Sequence, residues 1–460
     1  MSALLEQVDR HRPSAARWPL QVLWPLAAAA LFGLLMFRVI GPAMGGFATV
    51  LLVIGINIVL AVSLTVVNGF TGQFSMGHGG FMAVGGYVAA MIVYYGSLRL
   101  WGSANFAGGF LSSASGDGAW LAGGDVLFVV ACLAAGLAAA GAGYLVGLPS
   151  LRLKGDYLAI VTLGFGEIVR VVLQGTAPQI ARSKADVVRE TPVWKLVTHL
   201  GGAQGFNLLP TYATLFWIYF AAVLTLIVVY RLKMSSSGRA FLSIREDEIA
   251  SQAMGVNVTK YKVRAFVLSS FFAGVAGGLY AMYLGAINAT DLGFQRSFEV
   301  IIMVVLGGMG SISGATLAAI LLSILPEVLR APPPVWPAGL ALLVVMVIIQ
   351  KVGISFGLTR GPADGIVLNI AISMRSLRRS WKFKPLVIVA GVTMALETAR
   401  LVCLQQQIDI AQYRMVLYAL MLIIMMIVRP EGLFGVREFW DYLPRRRAHS
   451  PSGPVAEASA

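Results

Sequence analysis

Glu167 stands three residues before Arg170, Arg296 three before Glu299, and Glu397 three before Arg400, spacings that place both charges on one helical face. In an apolar chain such a pair lowers the burial cost of each acid, whereas an acid left alone at the same depth could relay protons. His78 lies between Gly77 and Gly79 with no Cys, Asp or Glu at ligand spacing, so it reads as a helix-end or packing histidine rather than a metal ligand. Cys132 and Cys403 both fall inside apolar runs and indicate neither a disulfide framework nor a zinc site. The chain contains no G-x-x-x-x-G-K-[ST] phosphate loop and no H-E-x-x-H, and no polar stretch long enough to fold as a nucleotide-binding domain. The expectation is a protein without a catalytic centre or bound cofactor, in which any work drawn from ATP is supplied by another chain.

The elements that hold these residues are apolar helices. The chain has 460 residues, 58% of them hydrophobic and only 12% charged, against the roughly 25% charged residues of soluble domains. Its mean hydropathy is +0.79. Runs at Trp18–Ile40, Phe47–Val67, Phe81–Tyr95, Val126–Leu148, Tyr157–Leu173 and Tyr212–Tyr230 precede a polar segment. After it come Val263–Leu284, a run from Phe298 to Leu325 broken by glycines at 307–314, then Val335–Ile349, Leu386–Leu404 and Met415–Val428. Many of these approach the roughly 20 residues that cross a bilayer as helix, and they lack the alternation of barrel strands. The fold class expected is an all-α polytopic transmembrane bundle of about ten to twelve spans, some broken or short.

Charge sets the expected orientation. The net charge is +14, but the cations gather in loops and tails, which is the positive-inside pattern of a membrane protein and not a nucleic-acid footprint. Residues 1–17, the loop 231–264 with Arg231, Lys233, Arg239, Arg245, Lys260, Lys262 and Arg264, and a disordered tail from 445 to 460 are placed in the cytoplasm. The loop Lys351–Lys384 is also basic, so either the glycine-broken run crosses twice or Val335–Ile349 does not cross. Gly102–Asp125 and Gln174–Gly205 are too polar to span and belong outside.

Within the loop 231–264, Ser243-Ile-Arg-Glu-Asp-Glu-Ile-Ala-Ser-Gln-Ala-Met-Gly255 predicts one short helix. Ser243 and Glu246 have capping-box spacing, and Gly255 is a stop signal. Ile249, Ala250, Ala253 and Met254 share one face. Two glycine clusters form the other unusual feature: Gly69-Phe-Thr-Gly-Gln-Phe-Ser-Met-Gly-His-Gly-Gly80 and Leu306-Gly-Gly-Met-Gly-Ser-Ile-Ser-Gly314. Such clusters either pack helices closely or unwind backbone along a path. Asn68, Thr71, Gln73, Ser75, Gly77, His78, Thr162, Gly307, Gly308 and Ser311 are the candidate lining of a translocation path between two halves of the chain.

Leu151-Arg-Leu-Lys-Gly-Asp-Tyr-Leu-Ala-Ile-Val-Thr-Leu-Gly-Phe-Gly-Glu-Ile-Val-Arg170, the segment from Gly238 to Val256, and Val304-Val-Leu-Gly-Gly-Met-Gly-Ser311 resemble the LivM-type permease family of bacterial branched-chain amino acid ABC importers. Arg429-Pro-Glu-Gly-Leu-Phe-Gly435 is similar to that family's C-terminal signature. The resemblance covers roughly residues 47–327 and 413–435, and an atypical insertion occupies about 331–412 of a permease domain running from 18 to 444. It implies an inner-membrane multi-pass subunit with both termini cytoplasmic, a LivH-like second permease, two cytoplasmic ATPase subunits and a periplasmic binding protein. It also implies that Ser243, Arg245, Glu246, Asp247, Glu248, Ala250, Met254 and Gly255 form the ATPase-coupling helix. Branched-chain or related hydrophobic amino acids are the implied cargo. Urea, amides or other small solutes are the alternative within the superfamily, and an ion-coupled carrier or channel is the alternative outside it.

Overall fold

The computed structural model describes residues 18–44, 47–103, 105, 107–112, 120–150, 156–181, 184–330, 354–360 and 366–372, with single positions at 416, 419, 420, 423, 432 and 438. The terminal segments, the Leu151–Gly155 part of the resemblance, the runs Val335–Ile349 and Leu386–Leu404, most of Met415–Val428 and the Glu397/Arg400 pair lie outside the described residues. The chain divides into two compact units, one of residues 1–332 with 409–436 and the other of 333–408 with 437–460.

The first unit is an all-α bundle. Its principal helices among the described residues are α1 (Trp18–Leu35), α2 (Ala48–Leu64), α3 (His78–Trp101), α4 (Gly123–Ser150), α5 (Asp156–Gln174), α6 (Leu215–Met234), α7 (Ser236–Glu246), α8 (Glu248–Ala253), α9 (Val258–Leu284), α10 (Phe294–Gly307) and α11 (Ile312–Arg330). Among the described residues seven helices are long and apolar enough to cross a membrane, and these contain α1 to α6 and α9. The expected runs between Trp18 and Leu325 are present as helices, with α3 beginning at His78 instead of Phe81.

Helix ends follow local chemistry. Asn257 caps α9, its Oδ1 accepting from Lys260 N at 3.0 Å, and Gly285 ends that helix with its N–H on Ala281 O. The centre of the bundle is α9, packed against α2, α3 and α4. Glycine makes the α3–α9 crossing possible: a methyl on Gly85 would lie 2.3 Å from Gly274 Cα, and one on Gly277 2.0 Å from Met82 O. Apolar attraction cannot drive helices together in lipid, so this close backbone approach supplies the dispersion contact that can.

The glycine-broken run folds back on itself. Asn57 on α2 donates to Ser323 Oγ of α11 at 2.7 Å and accepts from Arg296 Nη2 of α10 at 2.6 Å. Arg296 opens α10 while Ser323 lies well along α11, so the two arms run antiparallel beside α2.

In the second unit, Ile354–Arg360 and Ile366–Ile372 pair antiparallel, with Ile354 opposite Ile372 and Arg360 opposite Ile366. The ladder belongs to the second unit, and the all-α polytopic class describes the helical unit. The signal was present in Gly361-Pro-Ala-Asp-Gly365, a run of turn formers between two segments rich in Ile, Leu and Val.

Candidate functional site

The two glycine clusters meet. A methyl on Gly69 would stand 2.6 Å from Gly310 N, so only glycine permits this contact of backbone on backbone. Helix α2 passes through a π-helical turn at Thr65–Phe70, and the chain then runs without helix through residues 72–77 before α3 starts. Unwound backbone among membrane helices must have its polar groups satisfied from within the protein. Here Gln73 N donates to Val67 O (3.2 Å), Ser75 N to Asn68 Oδ1 (3.2 Å) and Met76 N to Thr162 Oγ1 of α5 (3.0 Å). Gly79 N, in the first turn of α3, donates to Ser297 Oγ of α10 at 2.8 Å. Two neighbouring helices thus supply the acceptors that the start of α3 lacks.

The second break is built the same way. Gly308 and Gly310 have φ of +110° and +105°, a conformation that disfavours side chains. Ser311 begins α11 as its cap, with Oγ accepting from Gly314 N at 3.1 Å. Gly432 also reaches this place, since a methyl on it would meet Gly308 Cα at 2.5 Å.

Of the candidate path residues, Asn68, Thr71, Gln73, Ser75, Gly77, His78 and Thr162 come together around the first break, and Gly307, Gly308 and Ser311 form the second. All ten are buried, and two apolar cavities lie elsewhere in the bundle. The smaller of those, of about 120 Å³, is apolar and lies among Phe128, Cys132, Trp217 and Phe271.

The charged segment differs from the single helix expected from Ser243 to Gly255. It is two helices, α7 and α8, separated by Asp247 in an extended conformation (φ −156°, ψ 116°). Asp247, and not Ser243, is the cap: its Oδ1 accepts from Ile249 N at 2.8 Å and Ala250 N at 3.0 Å. Ser243 Oγ donates to Ala240 O inside α7 and is unavailable for a capping box with Glu246. Phe241 and Ile244 are buried and keep that stretch helical against the bundle. Gly255 ends α8 as expected, at φ +82°, with Gly255 N on Gln252 O and Val256 N on Ser251 O, the double bond of a Schellman motif.

The exposed and anchored faces of α8 are reversed from those of an ordinary surface helix. Ile249 is 75% and Met254 84% exposed, while Ser251 is buried and Glu248 is tied to the buried Lys262 of α9. The apolar face grouping Ile249, Ala250, Ala253 and Met254 points away from the protein.

Arg245, at the end of α7, turns the other way. Its Nη1 donates to Gly69 O at 3.0 Å and to Met309 O at 3.3 Å, one acceptor in each glycine cluster. Lys233, in the last turn of α6, donates to Gly310 O at 2.9 Å and lies 5.6 Å from the Phe70 ring centroid. Sequence reasoning singled out Arg245 only as part of the short helix and gave Lys233 no role beyond orientation. Neither acceptor is a side chain, so no residue pattern announces these bonds.

Two of the three acids with i,i+3 partners, Glu167 and Glu299, form ion pairs as expected. Arg170 Nε meets Glu167 Oε2 at 2.7 Å, and Arg296 Nη1 meets Glu299 Oε2 at 2.9 Å. Arg170 also bonds Gln174, which donates to Thr290 Oγ1 and so joins α5 to the segment before α10.

The sequence profile of the family described as branched-chain amino acid transport system / permease component matches residues 46–350. The chain is 36% identical over 291 residues to the high-affinity branched-chain amino acid transport system permease protein LivM of Salmonella typhimurium, a match covering 60% of this chain and 61% of that protein. It is likewise 36% identical over 294 residues to LivM of Escherichia coli. Against the permease protein LivH of Salmonella typhimurium it is 25% identical over 267 residues, covering 58% of this chain and 79% of that protein. The chain thus spans about three fifths of the length of the LivM relatives, 61% in each case. No solved structure matches it.

Proposed function

Because this chain belongs to the family of branched-chain amino acid transport system permease components, we propose that it is the membrane-spanning permease subunit of an ATP-driven importer of branched-chain or related hydrophobic amino acids. It works beside a LivH-like second permease, two cytoplasmic ATPase subunits and a periplasmic binding protein. The loop 231–264 and both termini face the cytoplasm of a bacterial cell whose inner membrane the bundle crosses. The subunit hydrolyses nothing itself.

The observation that carries this reading is the outward apolar face of α8. Ile249 and Met254 stand exposed on a helix held by its polar side. Apolar side chains displayed beyond the bundle, in a segment rich in charge, fit the core of a protein–protein contact. A partner cycling through ATP-bound and ATP-free shapes would push on α8, and the two packed glycine breaks are where the bundle can open. The carrier alternative requires an acid free to take up a proton, and Glu167 and Glu299 both hold arginines.

The test is uptake by the assembled transporter in proteoliposomes, with leucine and urea offered separately and ATP present or absent. ATP-dependent leucine uptake, lost in an Ile249→Asp/Met254→Asp variant whose ATPase no longer co-purifies, is the expected result. Uptake driven by a proton gradient without ATP would overturn it. ATP-dependent urea uptake without leucine uptake would move the cargo to the second solute class.

A further inference from the structure

We propose that Arg245 is a positioning residue of the transport stroke: its guanidinium carries movement of the short outward helix to both helix breaks at once. This rests on the functional reading above and names the part of the chain that transmits the force.

Arg245 lies two residues before Asp247, the cap on which α8 begins, so displacement of α8 moves the backbone that bears Arg245. A single nitrogen, Nη1, holds Gly69 O and Met309 O, carbonyls from breaks far apart in the chain. The slot it enters is walled by glycine. A methyl on Gly310 would stand 2.7 Å from Nη1, and one on Gly72 would stand 3.2 Å from Arg245 Cγ. Lys233 adds a second tether, to Gly310 O, from the helix just before α7. Both carbonyls that Arg245 holds lie at or just beyond a helix C-terminus, where unpaired carbonyls and the helix dipole favour a cation.

A purely structural role would have Arg245 do no more than satisfy these carbonyls, and its removal would lower the amount of folded complex. A transmitting role predicts a different loss, in solute moved per ATP hydrolysed. The side chain points into the bundle, away from the exposed face of Ile249 and Met254, so docking of the ATPase does not depend on it.

The experiment measures leucine uptake and ATP hydrolysis together in proteoliposomes of the complete transporter, for the parent chain, Arg245→Gln and Arg245→Lys. Both variants are expected to lower leucine moved per ATP about tenfold while hydrolysis and complex yield stay within about twofold, because Gln loses the charge-assisted bond and Lys, one bond shorter, does not bring its nitrogen to the place where Nη1 meets both carbonyls. A second measurement needs no transport: Met309→Cys, with Cys132 and Cys403 replaced by Ala, is labelled with a water-soluble thiol reagent. Its labelling rate is expected to change on trapping with ATP and vanadate when Arg245 is present, and not in Arg245→Gln. Unchanged leucine per ATP, full rescue by Arg245→Lys, or an ATP-induced labelling change that survives Arg245→Gln would each overturn the proposal. A parent chain without ATP-dependent leucine uptake would sink the functional reading, and this inference with it.

Discussion

Ser63 Oγ and His78 Nε2 stand 2.9 Å apart, although the chain between them leaves one helix, unwinds and starts another. Helix α3 therefore begins level with the last turn of α2, deep in the bundle. The Ser63 hydroxyl has one proton, and its Oγ also lies 2.9 Å from Leu60 O, an acceptor only. That proton goes to the carbonyl, so Ser63 accepts from an Nε2–H and the imidazole tautomer is assigned. Ser269 on α9 donates to Ser63 O at 2.7 Å and joins the same layer.

His78 is thus a structural donor. His78→Phe, which keeps a ring and loses the bond, should destabilise the protein by about 1–3 kcal/mol, the range for leaving a buried polar group unpaired. Thermal unfolding in detergent measures this, and a metal chelator should leave the parent unchanged. A Phe variant as stable as the parent would remove the hydrogen bond from the account.

Arg296 offers a stronger case. It is nearly buried and shared between Glu299 and Asn57, and Asn57 in turn holds Ser323. Glu299→Leu should cost about 3–5 kcal/mol, because breaking a buried pair leaves the surviving charge uncompensated. Arg296→Met/Glu299→Leu removes both charges and should recover most of that loss. If the double variant is as unstable as the single, the pair is not the cause. The conservative Glu299→Gln should retain uptake that still requires ATP at every proton gradient.

Glycines at crossings and glycines on open surface make opposite predictions. Gly85→Ala drives a methyl into Gly274 and should cost about 2 kcal/mol or more through overpacking. Gly141→Ala meets nothing within 4 Å and should be neutral or stabilise α4 by up to about 1 kcal/mol, from helix propensity. Equal effects at the two sites, read by chemical unfolding, would mean that close approach is not what selects glycine at position 85.

The tie between Glu248 and Lys262 can be tested by exchange. Glu248→Lys places two cations together and should loosen α8. The double exchange Glu248→Lys/Lys262→Glu should restore it, with a coupling of about 1 kcal/mol given the partial exposure of Glu248. Protease sensitivity of residues 246–256 reports the outcome, and an exchange variant no better than the single one would deny that this pair anchors the helix.

Legibility divided along physical lines. Apolar runs, the broken helix at Gly307–Gly314 and the i,i+3 ion pairs depend on spacing within one segment, and they read directly from the sequence. So did the stop at Gly255, since a left-handed position selects glycine almost by itself. The start of α8 did not read correctly, because Ser243/Glu246 and Asp247 are competing caps in one short stretch. Burial of Phe241 and Ile244 against distant helices decided in favour of Asp247. The meeting of Gly69 with Gly310 and the reach of Arg245 to two carbonyls are backbone contacts between remote segments, and local chemistry leaves no trace of them. The ten path residues were grouped by type, and folding gathered them around the two breaks.

Gly432 belongs to the same compact unit as Gly308, against which it packs, yet residues 333–408 of the other unit are made between them. The bundle is therefore discontinuous in time as well as in sequence. A ribosome delivers both helix breaks, Arg245 and the short helix, then residues 333–408, before it releases the glycine that packs beside Gly308. A nascent chain halted short of residue 409 holds both breaks and lacks the Gly432 contact on Gly308. Vectorial synthesis thus completes both breaks late, the first when Gly310 meets Gly69 and the second when Gly432 meets Gly308.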